Sequence, residues 1–171
     1  MDRERAASVV LVVDDDPPIR ELLDAVLKEE GCSVISATDG AQALDLIQAG
    51  AAPDLLLLDI GLPVVNGIEF VRAYRSHIEP PYAPIVIVSA RGDAASVARD
   101  LDCDAYLNKP FDIEDLLSVV RSALALSDSP ARHHTYGVDP PSRMRGATPA
   151  ASATSAPSKA MPAAAQSPSL R

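Results

Sequence analysis

Short apolar runs alternate with amphipathic segments from residue 9 to about residue 126, and this alternation limits the possible folds more than any other feature of the chain. Almost continuously hydrophobic strands that alternate with helices are typical of a parallel sheet with both faces covered. The pattern therefore predicts an α/β fold: a doubly wound five-stranded parallel sheet flanked by five helices. The predicted strands cover residues 9–13, 33–37, 55–58, 85–88 and 105–108.

The amphipathic segments have helical periodicity. In the first, apolar residues recur at i, i+3, i+4, i+7 and i+8 from Ile19 to Leu27, and Gly31 is placed to end the helix. Pro17 and Pro18 suit the first helical positions, which makes Asp16 a candidate N-cap. The other predicted helices cover about 40–49, 67–76, a short segment near 93–100, and 113–126.

The composition changes near residue 128. Ala, Pro and Ser supply 24 of the last 43 residues and large apolar side chains are scarce, so burial cannot offset the entropy lost on ordering. We therefore predict an N-terminal extension of residues 1–7, a folded domain of residues 8–127, and a disordered tail of residues 128–171. His133 and His134 in the tail match no metal site and are assigned no function.

Charge and cysteine content exclude several classes of function. Residues 1–128 carry 10 Lys and Arg against 23 Asp and Glu, so they lack the clustered cations that contacts with nucleic-acid phosphates require. The two cysteines are too few for a disulfide framework, and the sequence contains neither a signal-peptide pattern nor a membrane span. We expect a cytoplasmic protein without direct nucleic-acid or membrane contacts.

Polar side chains follow four of the five predicted strands at the point where each strand ends. Ligands of doubly wound sheets bind at the carboxyl ends of the strands, so these side chains should share one edge. They are Asp14, Asp15 and Asp16 after the first strand, Asp59 after the third, Ser89 after the fourth and Lys109 after the fifth.

Asp59 ends the run LLLLD, and burying a carboxylate without a partner costs several kcal/mol. A role as the N-cap of the next helix is disfavoured, because Pro63 and Asn66 delay the start of that helix. Asp16, in contrast, is better explained as an N-cap than as a ligand.

Carboxylates that converge at this edge repel each other, by about 3 kcal/mol per pair at roughly 5 Å and an effective dielectric near 20. A hard divalent cation such as Mg²⁺, which takes oxygen ligands, and the ammonium group of Lys109 would compensate this charge. Beside two such cations, Asp59 is well placed to attack phosphorus and form an acyl phosphate. The hydroxyl of Ser89 can then donate to a phosphoryl oxygen.

Four strings in this order resemble the receiver domain of two-component response regulators, a CheY-like family with a flavodoxin-like fold: LVVDDDPPIRELL, LLLLDIGLPVVNG, IVIVSARGD and YLNKPF. The resemblance spans residues 9–127. It implies that Asp59 accepts a phosphoryl group from a sensor histidine kinase or a phosphotransfer protein. It also implies that Asp14, Asp15, Asp59 and the backbone carbonyl of Gly61 bind Mg²⁺.

The same resemblance gives roles to the other residues at this edge. Ser89 matches the switch hydroxyl, and Lys109 matches the lysine that contacts the phosphoryl group. Tyr106 matches the aromatic residue that swings inward on activation. Pro110 falls where the family has a cis peptide bond.

Two departures from the family pattern affect these expectations. The stretch from Ser89 to Lys109 is about two residues shorter than usual, so the fourth helix should be short. Because the family often dimerises through that face, we expect a monomer or a weak dimer. Gly61 has no side chain to orient a hydrolytic water, and the matching position after Ser89 is Arg91, so the lifetime of the phosphorylated state stays open.

The sequence therefore predicts a stand-alone response regulator, since nothing after residue 127 has the periodicity of a helix-turn-helix. It would be no enzyme beyond Mg²⁺-dependent self-phosphorylation and self-dephosphorylation, and would signal through a downstream effector protein or by phosphorelay. One alternative is a haloacid dehalogenase-type phosphohydrolase, whose D-x-D motif Asp14 and Asp16 imitate. Another is a degenerate receiver that acts as a phosphorylation-independent scaffold.

Overall fold

Strands and helices alternate along the chain as predicted in a computed structural model that describes residues 7–90, 92–127 and 136–138. The five predicted strands are β1 (Val9–Val13), β2 (Ser33–Ala37), β3 (Leu55–Asp59), β4 (Ile85–Ser89) and β5 (Ala105–Asn108). The helices are α1 (Pro17–Glu29), α2 (Gly40–Gln48), α3 (Gly67–His77), α4 (Ala94–Asp100) and α5 (Ile113–Ser127). Helix α4 has only 7 residues, so the prediction of a short fourth helix is confirmed.

The strands form one parallel sheet in the order β2-β1-β3-β4-β5. Strand β1 pairs with both β2 and β3. The chain therefore places β2 on one side of β1 and the later strands β3, β4 and β5 on the other side. The predicted doubly wound five-stranded architecture is confirmed. The reversal places a topological switch point at β1 and β3, where ligands of such sheets bind.

A sixth strand, β6 (Tyr136–Val138), extends the sheet by pairing in parallel with β5. These residues fall in the predicted disordered tail, and this strand was not predicted from the sequence. Three residues are too few to show a period, and backbone hydrogen bonds to an edge strand are not visible in composition. The other residues of the predicted tail, His133 and His134 included, lie outside the described residues.

The core lies on both faces of the sheet, because successive strand residues point to opposite sides. On one face Leu11, Leu56 and Ile87 pack with side chains of α2, α3 and α4. On the other face Val12, Leu57 and Val88 pack with α1 and α5. Burial on both faces explains why these strands read as continuous apolar runs.

The first turn of α1 differs from the prediction in one respect. Asp16 occupies the N-cap position, but its side chain makes no capping hydrogen bond. Pro18 at the second helical position has no N–H group to donate, and the Asp16 carboxylate does not use the N–H at the third position either. Within the described residues, no helix is both long enough and apolar enough to span a membrane.

Candidate functional site

The register of the sheet brings the predicted carboxylates together. Val13 of β1 is paired with Leu58 of β3, so the residues that follow them, Asp14 and Asp59, emerge side by side. One carboxylate oxygen from each of Asp14, Asp15 and Asp59 lies within 4.8 Å of the others. The convergence that the sequence predicted at this edge is present.

Lys109 bridges two of these carboxylates. Its Nζ lies 2.6 Å from Oδ2 of Asp14 and 2.5 Å from Oδ2 of Asp59. The side chains of Lys109 and Asp59 are 12% exposed and that of Asp14 only 2%. Because little water screens them, these ion pairs are stronger than surface pairs, and their desolvation is also costly.

Burial changes the pKa of both partners. It raises the pKa of Asp14, although hydrogen bonds from Lys109 and from the Asp16 N–H, 2.9 Å from Oδ1, oppose the change. Burial by itself would lower the pKa of Lys109, but its hydrogen bonds to Asp14 and Asp59 outweigh that effect and the pKa is raised. Lys109 therefore stays charged and bridges two of the three clustered carboxylates.

The donor set fits Mg²⁺. It consists of carboxylate oxygens, which hard divalent cations prefer, and one of them, on Asp15, is exposed. Oδ1 of Asp59 accepts a hydrogen bond of 2.8 Å from the N–H of Gly61, which fixes the carboxylate on the turn after β3. The role of the Gly61 carbonyl as a ligand stays a prediction.

Ser89 ends β4 and is 2% exposed. Its hydroxyl donates a hydrogen bond of 2.8 Å to Oδ1 of Asp93. This contact with Asp93 was not predicted from the sequence. The four-residue spacing was the available signal, but serine and aspartate at that spacing are too common in loops to single out.

The end of β5 carries the remaining predicted residues. Tyr106 is half-buried and packs against the core on the side of α2, α3 and α4. The Lys109–Pro110 peptide bond is cis, as the resemblance implied. The side-chain oxygen of Asn108 is buried without a hydrogen-bond partner among the described residues, a feature the sequence did not indicate. Arg91 lies outside the described residues.

Comparison with known proteins agrees with this geometry. A family profile described as the response regulator receiver domain matches residues 10–121. This match covers more than half of the chain, and the chain therefore belongs to the receiver-domain family of two-component signal transduction. Family membership argues against the haloacid dehalogenase alternative.

Two curated relatives illustrate the range of the match. The DNA-binding response regulator MtrA of Mycolicibacterium smegmatis is 39% identical over 131 residues, which is 75% of this chain and 56% of MtrA. The transcriptional regulatory protein CpxR of Escherichia coli K12 is 39% identical over 69% of this chain and 50% of CpxR. The chain thus spans about half the length of the curated relatives it matches.

Solved structures with similar folds include single receivers. The chemotaxis response regulator CheY4 of Vibrio cholerae has a TM-score of 0.63 and 30% identity, over 68% of this chain and 98% of that one. A CheY-like receiver domain protein from Methanospirillum hungatei has a TM-score of 0.64 and 26% identity, over 71% and 97%. The shared part in each case is the receiver fold.

Proposed function

We propose that this protein is a response regulator that accepts a phosphoryl group on Asp59 from a sensor histidine kinase or a phosphotransfer protein. The observation that carries the proposal is the part-buried bridge from Lys109 to both Asp14 and Asp59. A carboxylate held next to a fixed ammonium group at the switch point of a doubly wound sheet is poised to receive an anionic group.

In the proposed reaction an oxygen of Asp59 attacks the phosphorus of a phosphohistidine. The O–P bond forms while the P–N bond breaks, and the bonding electrons return to the imidazole nitrogen. Lys109 donates to a phosphoryl oxygen, and Ser89 provides a second donor once its hydroxyl turns toward the site. Mg²⁺ held by Asp14, Asp15, Asp59 and the Gly61 carbonyl would supply further positive charge next to the phosphoryl oxygens.

Exposed apolar side chains support a protein as the phosphoryl donor. The large hydrophobic side chains that are exposed among the described residues are Leu22 in α1, Val64 after β3 and Ile113 in α5, at 44%, 84% and 47%. Each belongs to a segment that follows a strand's carboxyl end. A donor protein must cover this edge to bring phosphorus to Asp59, and exposed apolar side chains favour such contact.

We further propose that the receiver acts alone, as a monomer or weak dimer in the cytoplasm, with no other enzymatic activity. Its output would be contact with a downstream effector protein or onward transfer of the phosphoryl group. The acidic balance of residues 1–128, 10 basic against 23 acidic residues, supports protein rather than nucleic-acid contacts.

Intact-mass measurement after incubation with acetyl phosphate and Mg²⁺ tests the proposal. We expect one added phosphoryl group, which is lost in Asp59→Asn and greatly reduced when EDTA removes the metal. Asp45→Asn, at an exposed position in α2, is the matched control and should be modified like the wild type. An adduct that persists in Asp59→Asn would reject Asp59, and no adduct in the wild type would support the scaffold alternative.

A further inference from the structure

The hydroxyl of Ser89 already donates a hydrogen bond to another side chain in this structure. It donates to Oδ1 of Asp93 at 2.8 Å, and the residue is 2% exposed. A serine hydroxyl has one proton and donates to one acceptor at a time. For Ser89 to donate to a phosphoryl group on Asp59, the hydrogen bond to Asp93 must break.

Asp93 occupies the N-cap position of α4 without capping it. Two other helices of the chain begin with working side-chain caps: Asp39 accepts from the N–H of Gln42 and Asn66 from the N–H of Glu69. Asp39 and Asn66 have extended backbones, with ψ of 170° and 166°, whereas Asp93 has ψ of 2° and no side-chain cap hydrogen bond. The N-terminal N–H groups of α4 therefore lack the partner that such a residue usually provides.

The two ends of α4 are held differently. At its C-terminal end, the guanidinium of Arg75 in α3 donates to the carbonyls of Leu101 and Asp102. At its N-terminal end, Asp93 follows Gly92, whose φ of +70° is easily accessible only to glycine. A backbone change is thus cheapest at the Gly92–Asp93 junction, where it would tilt the start of α4 while its end stays attached.

We propose that the Asp93 side chain has two positions and that Ser89 selects between them. With Asp59 unmodified, Asp93 binds the Ser89 hydroxyl and leaves α4 uncapped. When Ser89 turns to a phosphoryl oxygen, Asp93 is released, its backbone becomes extended, and its carboxylate caps the N–H groups of Ala95 and Ser96. The second state rests on the proposed phosphorylation of Asp59, and the exchange couples that event to the first turn of α4.

Ser89→Ala tests the inference without any phosphorylation. The variant removes the donor that holds Asp93, so the full-length, unmodified protein should already carry the cap. Amide hydrogen exchange followed by NMR should show Ser96 or Ala95 exchanging about fivefold more slowly than in the wild type, the factor expected from a typical N-cap. The double variant Ser89→Ala/Asp93→Ala should return to the wild-type rate.

Phosphorylated wild-type protein provides the second arm. Its Ala95 and Ser96 amides should slow by a similar factor, while phosphorylated Asp93→Ala should show no such change. Asp39→Ala, which removes the cap of α2, is the matched control and should leave the α4 amides unaffected. Unchanged α4 amides in Ser89→Ala, or slowing that survives in the double variant, would overturn the inference. A wild type without an adduct would instead overturn the proposed function and leave the Ser89→Ala arm decisive.

Discussion

The connections that follow the two central strands are built in opposite ways. After β3, the chain packs tightly: a Cβ on Gly67 would lie 2.5 Å from the carbonyl oxygen of Asp59 and 2.9 Å from Cα of Ile60. Asn66 and Glu69 then form a complete capping box at the start of α3. After β4, a Cβ on Gly92 would meet nothing within 4 Å, and α4 starts without a side-chain cap.

This difference separates two tasks at one edge of the sheet. The connection after β3 holds the proposed acceptor Asp59 in a fixed place, since any shift of α3 would push against the backbone of the acceptor itself. The connection after β4 has room and an unused capping residue, so it can change when Ser89 changes its partner. The connection after β3 thus places Asp59 precisely, whereas the connection after the neighbouring strand β4 is free to move.

The largest expected effect tests how tightly the two connections are packed. Gly67→Ala should destabilise the fold by about 3 kcal/mol, because its Cβ would collide with backbone atoms that cannot rotate away. Gly92→Ala should cost only about 1 kcal/mol, the strain of an alanine at positive φ. Urea unfolding followed by circular dichroism measures both values. Equal costs would show that the two connections are equally tight.

The strands and the short α4 on which this comparison depends could be predicted from the sequence, for physical reasons. The runs VVLVV, LLLL and IVIV predicted strands because burial on both faces leaves no polar positions, and the short interval from Ser89 to Lys109 predicted a short α4. The partner of Ser89 was not predictable, because a hydroxyl at the end of a strand can bond any of several nearby acceptors, and only the folded geometry decides which one. Asp16 was predicted to cap α1, but its side chain makes no capping hydrogen bond: Pro18 offers no N–H at the second helical position, and the N–H at the third is not used.

A second prediction concerns the buried negative charge of Asp14, which lies beside the proposed acceptor Asp59. In Mg²⁺-free buffer at neutral pH, Asp14→Asn should raise the free energy of unfolding by about 1–2 kcal/mol, because it removes a desolvated carboxylate whose pKa is raised by burial. Lys109 is not left unpaired, since Asp59 stays within 2.5 Å of its Nζ. The asparagine oxygen can also still accept from the Asp16 N–H.

The pH dependence of the free energy of unfolding tests whether the charge of Asp14 causes this effect. The folded-state pKa of Asp14 lies above the ordinary value of 3.8, so between the two values the folded protein binds more protons than the unfolded chain. Stability of the wild type therefore falls as pH rises through that window. The advantage of Asp14→Asn should be complete above the folded-state pKa and disappear below pH 3.8, as measured by urea unfolding across the acid range. An advantage that persists at the lowest pH would assign the effect to packing rather than to charge.

The smallest expected effect compares the two helix starts directly. Asn66→Ala removes a capping residue that accepts from the N–H of Glu69 at 3.0 Å, and should cost about 1 kcal/mol of unfolding free energy. Asp93→Ala removes no cap, so in unphosphorylated protein its cost should be limited to the hydrogen bond with Ser89, about 0.5 kcal/mol. If Asp93 does cap α4 after phosphorylation, the cost of Asp93→Ala should rise to match that of Asn66→Ala only in the modified protein. Because the change appears in one variant and one state, it separates an exchange of partners from a general loosening of the loop.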